Sequence, residues 1–69
     1  MENKEDIVKR LKLLLMATRA GSDIEDLILS VDQKRERIVI IQFRNGYSKN
    51  VCVEADSGIA LIQDVIREL

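Results

Sequence analysis

Apolar residues recur every three to four positions near both ends of the chain and in shorter, denser runs between them. Over residues 4–20, Ile7, Leu11, Leu14, Leu15 and Thr18 fall on one face at i, i+3, i+4 spacing, with Val8 at its edge, which predicts a helix. Asn3 is placed to cap it, Glu5 and Asp6 suit the positive end of its dipole, and Gly21 is the natural stop. Leu13, Met16, Ala17 and Ala20 form a smaller stripe on the opposite side. A second helix is expected over Ser57–Leu69, capped by Asp56 or Ser57, with a stripe of Ile59, Ile62, Val65, Ile66 and Leu69 and Leu61 at its edge. Between the helices, a short acidic connection (Ser22–Glu25) leads to three expected strands, Asp26–Val31, Glu36–Arg44 and Tyr47–Glu54. The order is α-β-β-β-α. It implies an α+β fold, a three-stranded antiparallel meander with both helices on one face, and with no proline, repeat or low-complexity tract to divide it the chain 1–69 reads as a single domain.

Turn chemistry assigns side chains to faces. Asn45-Gly46 is the preferred pair for a two-residue type I′ turn, because both central residues need positive φ. Such a turn sets Arg44 opposite Tyr47, Ile40 opposite Val51 and Ile38 opposite Val53; a four-residue turn at Asp32–Arg35 sets Leu29 opposite Ile38 and Leu27 opposite Ile40. The helices are then expected over Leu27, Leu29, Val31, Ile38, Ile40, Val51 and Val53. The reverse face would carry Ile28, Val39, Ile41, Phe43 and Cys52, beside a polar row of Ser30, Arg37 and Glu54. A contiguous apolar patch on the open side of a small sheet marks an interface, and an isologous homodimer through those five residues is the expectation, ahead of an interface reserved for another protein; a helix crossing to that face would leave no patch at all.

Size points the same way. A chain of 69 residues rarely gains more than about 3–5 kcal/mol from its core without a disulfide, a metal or a partner subunit. Cys52 is the only cysteine and there is no histidine, so oligomerisation is the staple that remains. Eleven basic and 12 acidic residues give a net charge of −1, which offers no general attraction to nucleic acid or to anionic membrane. No apolar run approaches the ~18–20 residues of a membrane span. The opening Met1-Glu2-Asn3-Lys4-Glu5-Asp6 is too polar and too acidic for a secretory or transit sequence, so a cytoplasmic location is expected.

Catalytic chemistry has little to stand on. Without histidine there is no Ser-His or Cys-His pair, and Cys52 lies mid-strand between Val51 and Val53 as a packing residue. Asp23, Glu25 and Asp26 read as a solvated connection, and Ser57-Gly58 as a helix cap. No enzyme activity, cofactor or metal is expected. The hairpin tip is more suggestive: Arg44, Tyr47, Lys49 and Asn50, with Arg37 further down the sheet, are the residues that would hold an anionic small molecule such as a nucleotide signal. The competing reading is a polar tip whose charges guard an exposed sheet edge.

The α-β-β-β-α layout resembles the double-stranded-RNA-binding domain over the whole chain. That family opens its second helix with a lysine cluster that grips phosphates, where this chain has Asp56-Ser57-Gly58-Ile59-Ala60, and its Gly-Pro-x-His-type loop is missing, so RNA binding is disfavoured. The chain is also similar to short accessory proteins of bacteriophages and prophages, which are proline-poor and rich in Lys and Glu, begin like Met1-Glu2-Asn3-Lys4-Glu5-Asp6 and run straight into a helix. Some small phage inhibitors of CRISPR nucleases share the helix-then-three-strands opening, here Ile7–Ala20 followed by Leu27–Glu54, and others of this size sequester nucleotide signals. The resemblance implies an anti-defence or accessory role exerted by binding a host protein, without turnover. The expectation is therefore a homodimeric, non-enzymatic binding module, with nucleotide sequestration as the alternative.

Overall fold

The computed structural model describes residues 3–19, 21–55 and 57–69. The elements follow the expected order: α1 (Lys4–Met16), β1 (Ile24–Val31), β2 (Arg37–Phe43), β3 (Ser48–Cys52) and α2 (Gly58–Arg67). The strands form an antiparallel sheet in the order β1-β2-β3, and the helices lie together on one side of it. Asn3 caps α1, its side chain accepting a hydrogen bond from the Asp6 backbone N–H at 2.8 Å, and Glu5 pairs with Lys9 one turn on. Ser57 occupies the N-cap of α2 without a side-chain cap bond. The alternative cap Asp56, and Ala20 at the expected end of α1, lie outside the described residues.

Helix α1 stops at Met16, four residues earlier than the periodicity suggests. Ala17 and Thr18 donate to carbonyls three residues back, tightening the last turn, and the Thr18 hydroxyl donates to the Leu15 carbonyl while accepting from the Gly21 N–H. A hydroxyl so placed offers the backbone an exit from the helix. The chain then doubles back against α1, which brings Gly21 onto the Leu15 carbonyl.

Both hairpins close differently from the expectation. At the second, Phe43 N–H donates to Tyr47 and Gly46 N–H to Phe43, so the loop is the three residues 44–46, with Gly46 at φ 94° in the bulge position. At the first, Asp32 N–H donates to Glu36 and Arg35 N–H to Asp32, so the loop is the three residues 33–35, with Arg35 at φ 63°. The Asp32 carboxylate accepts from the N–H groups of Lys34 and Glu36 and holds that loop closed. One loop is a residue longer and the other a residue shorter than supposed. Val39 therefore lies opposite Leu29 and Val51, and Ile38 opposite Ser30 and Cys52.

These two changes act together on β2 alone. The outer strands keep the faces assigned to them, with Leu27, Leu29, Val51 and Val53 toward the helices, while β2 turns over. Val39 and Ile41, expected on the reverse face, are 0% exposed in the core, and Phe43 packs against it. Ile38 and Ile40 change places with them. The reason lies in segregation of apolar surface. With β2 turned over, Leu27, Leu29, Val39, Ile41, Val51 and Val53 share the helix side, and the reverse face becomes rows in which Ser30, Gln42, Ser48 and Asn50 surround Ile28, Ile38, Ile40 and Cys52. An antiparallel sheet open on one side favours that division.

Strand β1 also starts at Ile24, two residues before the expected Asp26. A bulge between Ile24 and Asp26 breaks the alternation, so that Ile24 and Leu27 are both buried in the core. Ile24, read from the sequence as part of an acidic connection, is 1% exposed. Glu54 ends β3 by accepting from the Arg37 N–H at 2.6 Å, and its carbonyl accepts from Lys4, which ties the start of α1 to the sheet. Arg37 and Glu54, expected side by side in the polar row, thus meet through the backbone N–H of Arg37 and not as a pair of charged side chains.

Candidate functional site

The helices are turned on the sheet relative to their sequence stripes. In α1 the residues against the sheet are Val8, Leu11 and Leu15, so the edge residue Val8 is central and Leu14 is left 66% exposed. In α2 they are Leu61 and Val65; the edge residue Leu61 is fully buried, while Ile59 and Ile66 lie in solvent, Ile66 at 48%. Apolar residues of α2 span an arc of about 160° at 100° per residue, wider than one sheet contact covers. Part of the unused arc of each helix, Ile7 and Leu14 on α1 and Ile62 and Ile66 on α2, faces the other helix. Between them runs a groove of about 400 Å³, walled by Ile7, Leu11 and Leu14 on α1 and by Ile62 and Ile66 on α2. Among the described residues, Arg10 is the single charged one on its walls.

The reverse face of the sheet is less exposed than its lack of a helical cover suggests. Ile28 and Ile40 are half-buried by their strand neighbours, and Ile38 is buried outside the main core. Cys52 is an exposed free thiol that donates weakly to the Glu36 carboxylate, with Sγ 3.4 Å from Oε2. Of the five residues expected to form the dimer surface, Val39 and Ile41 are closed off beneath the chain's own helices, Phe43 is half-buried against the core, and only Ile28 and Cys52 stay on the open face. Large exposed apolar side chains among the described residues sit instead on the helical layer, at Leu13, Leu14, Met16, Ile59, Ile66 and Leu69, with Val31 and Tyr47 on the sheet.

The residues expected to hold an anion are scattered. Tyr47 stands exposed at the tip with its N–H bonded to the Asn45 side chain. Arg44 faces the Glu25 carboxylate at 4.0 Å, and Lys49 reaches the end of α2, donating to the Glu68 carbonyl at 3.0 Å with that carboxylate 4.0 Å away. Asn50 lies on the reverse face, and Arg37 starts β2 at the far end of the sheet. Carboxylates already neutralise two of the three cations, and no single concave surface gathers the set.

The acidic residues before β1 include one with a specific role. Asp26 accepts from the Lys12 ammonium at 2.8 Å and from the Leu27 N–H, and the Lys12 hydrogen bond holds its carboxyl below the usual range against the opposing effect of partial burial. A lowered pKa means the pair stabilises the fold above the ordinary carboxylate pKa of about 3.9 and loses that contribution as pH falls through the folded value. Both side chains are about one-third exposed, so Lys12→Gln is expected to cost less than about 1 kcal/mol at pH 7. Urea midpoints at pH 7 and below pH 4 check this: the difference between wild type and variant narrows in acid.

Among the described residues there is no cluster of three metal-ligating side chains, and no helix is long and apolar enough to cross a membrane. The groove, legible in advance only from the width of the two apolar arcs, is the surface that stands out. No protein-family model, curated protein or solved structure matches the chain.

Proposed function

We propose that this chain is a small binding module that acts through protein–protein contact at the cleft between α1 and α2, without catalytic turnover. The observation that carries the reading is the convergence of two unused apolar arcs on one groove, with Leu14 and Ile66 exposed on its lips. Isolated surface leucines need no explanation, whereas contiguous apolar surface rimmed by polar residues is characteristic of an interaction site. The absence of histidine from the sequence and the pairing of Arg44 and Lys49 with carboxylates support binding over chemistry. An accessory role of the phage type, exerted on a host protein, is compatible with this mode of action.

A photo-crosslinking amino acid placed at Leu14, with Lys34 in the first hairpin loop as the control site, tests the reading in cells that make the protein. A discrete adduct from position 14, of either twice the chain's mass or another protein's, is the expected result. No adduct, or equal labelling from position 34, overturns it.

A further inference from the structure

Strand β1 is an edge of the sheet, and among the described residues β2 is its only neighbour. The alternation of an antiparallel ladder decides which of its backbone groups are already paired. Asp32 N–H donates to Glu36, so the hydrogen-bonded pairs further along are Ser30–Ile38, Ile28–Ile40 and Asp26–Gln42. The other side of β2 agrees, since Val53 N–H donates to the Arg37 carbonyl and Phe43 N–H to Tyr47. Leu27, Leu29 and Val31 therefore turn their N–H and C=O groups away from the sheet. Asp26 closes the first of these, accepting from the Leu27 N–H at 2.8 Å, and the bulge between Ile24 and Asp26 breaks the edge beside it. Both devices protect an edge against further pairing. The half around Leu29 and Val31 has neither.

That open half runs between two hollows. One, of about 360 Å³, is walled by Val8 and Lys9 on α1 and by Leu27, Ile28 and Leu29 on β1. The next, of about 280 Å³, lies between Asn3 and Lys4 at the start of α1 and Ser30, Val31 and Arg37 on the sheet. Glu5 and Leu29 border both. The step from one hollow to the next is two residues of β1, the spacing of successive side chains on one face of a strand. An extended segment laid along Leu29 and Val31 satisfies the open backbone groups, and its side chains i and i+2 enter successive hollows. Buried Val8 and Leu27 make the first hollow apolar, and Glu5 on its rim is paired with Lys9 at 3.7 Å. The second holds two cations, neither ion-paired with a described carboxylate: Lys4 donates to the Glu54 carbonyl, and Arg37 meets Glu54 through its backbone N–H. An acidic side chain suits it.

A second copy fits this edge poorly. Two-fold pairing of β1 with itself about Ile28 or Leu29 sets the open half against the capped Leu27 and the bulge. Pairing about Ser30 brings the Lys4 and Arg37 of both copies together at the axis. We infer that the Leu29–Val31 edge is a docking site for an extended segment of a different protein. The segment adds as a fourth strand, with an apolar side chain beside Val8 and Leu27 and an acidic one beside Lys4 and Arg37. This surface is separate from the α1–α2 cleft.

Selection of random peptides of about a dozen residues on the immobilised full chain, followed by titration of the enriched peptides into isotope-labelled protein, tests it. Enriched peptides are expected to carry an acidic residue two places from an apolar one and to slow hydrogen exchange at the Leu29 and Val31 amides. Val31→Pro removes an outward N–H that the β1–β2 ladder does not use, and should weaken binding about tenfold or more. Circular dichroism shows whether that variant folds; should it not, backbone N-methylation of the peptide gives the same loss on the wild-type chain. Exchanging the peptide's acid for its amide costs about threefold, and Arg37→Gln shrinks that difference. No enriched peptide, or peptides that protect neither amide, overturns the inference. Peptides that shift the methyl signals of Leu14 and Ile62 instead bind the cleft and also overturn it. So does a wild-type dimer dispersed by Val31→Pro, which gives the edge to a second copy.

Discussion

Val39→Asp is expected to abolish folding, whereas Ile40→Asp one residue along leaves a native protein. Val39 is 0% exposed at the centre of β2, between Leu29 and Val51 and beneath the helices. A carboxylate there has no partner, and burying it costs more than about 4 kcal/mol whether it stays charged or takes up a proton. That is comparable to the roughly 3–5 kcal/mol available to a core of this size. Ile40 lies on the reverse face, half-buried between Ile28 and Asn50, where an aspartate loses partial burial but keeps water; a cost of about 1–2 kcal/mol is expected. Far-UV circular dichroism and urea unfolding of the two variants read the difference directly. The opposite ranking would mean that β2 presents its other side to the helices.

The contrast matters because β2 is where sequence reasoning meets its limit. The positions of five elements and the antiparallel order follow from periodicity and turn residues, and the Asn3 cap is where its chemistry puts it. The face of β2 does not follow. Ile38-Val39-Ile40-Ile41 is apolar on both sides, so alternation carries no information and the register hangs on the loops. Asn45-Gly46 serves equally in a two-residue loop and as the end of a three-residue loop with a bulge, and the choice between them moves every side chain of the strand across the sheet. Arg35 in a left-handed conformation hides the matching signal at the first hairpin, since glycine or asparagine is the usual occupant. A comparison of how well each register separates apolar from polar positions does distinguish them, because only the observed one gathers Val39 and Ile41 with Leu29 and Val51. Local turn preference competed with burial, and burial won.

The candidate site was hidden for a related reason. A helical stripe gives the direction of greatest apolarity, and a helix that touches one neighbour points that direction at it. Each helix here borders both a sheet and an open groove, so the mean direction falls between the two. Leu14, in the middle of the α1 stripe, consequently ends on the lip, while Val8 and Leu61 move from stripe edges into the core against the sheet. The five-residue interface expected on the sheet dissolves once β2 turns over. The broader expectation of an unfinished apolar surface passes to the helices, as the proposed cleft.

Gly21→Ala is expected to be the most damaging of the glycine substitutions, and the three glycines separate the possible causes. A Cβ on Gly21 would stand 2.1 Å from the Leu15 carbonyl oxygen and 2.6 Å from its carbon, both backbone atoms at the last turn of α1. Neither yields without moving the helix end, so a loss of about 3 kcal/mol or more is expected, enough to leave much of the protein unfolded. At Gly46 a Cβ meets nothing within 4 Å, but φ is +94°, and the cost is backbone strain of about 1–2 kcal/mol. At Gly58 the nearest atom is the flexible end of Ile7, 3.1 Å away, and alanine at the start of α2 is a better helix former, so little net change is expected. Urea midpoints should therefore fall in the order Gly58→Ala, Gly46→Ala, Gly21→Ala, from most to least stable. A mild effect at Gly21 would mean that the chain after α1 does not fold back onto Leu15. Because that return fixes where α1 ends, and Leu14 and Leu15 both line the groove, the cleft itself would then have to be redrawn.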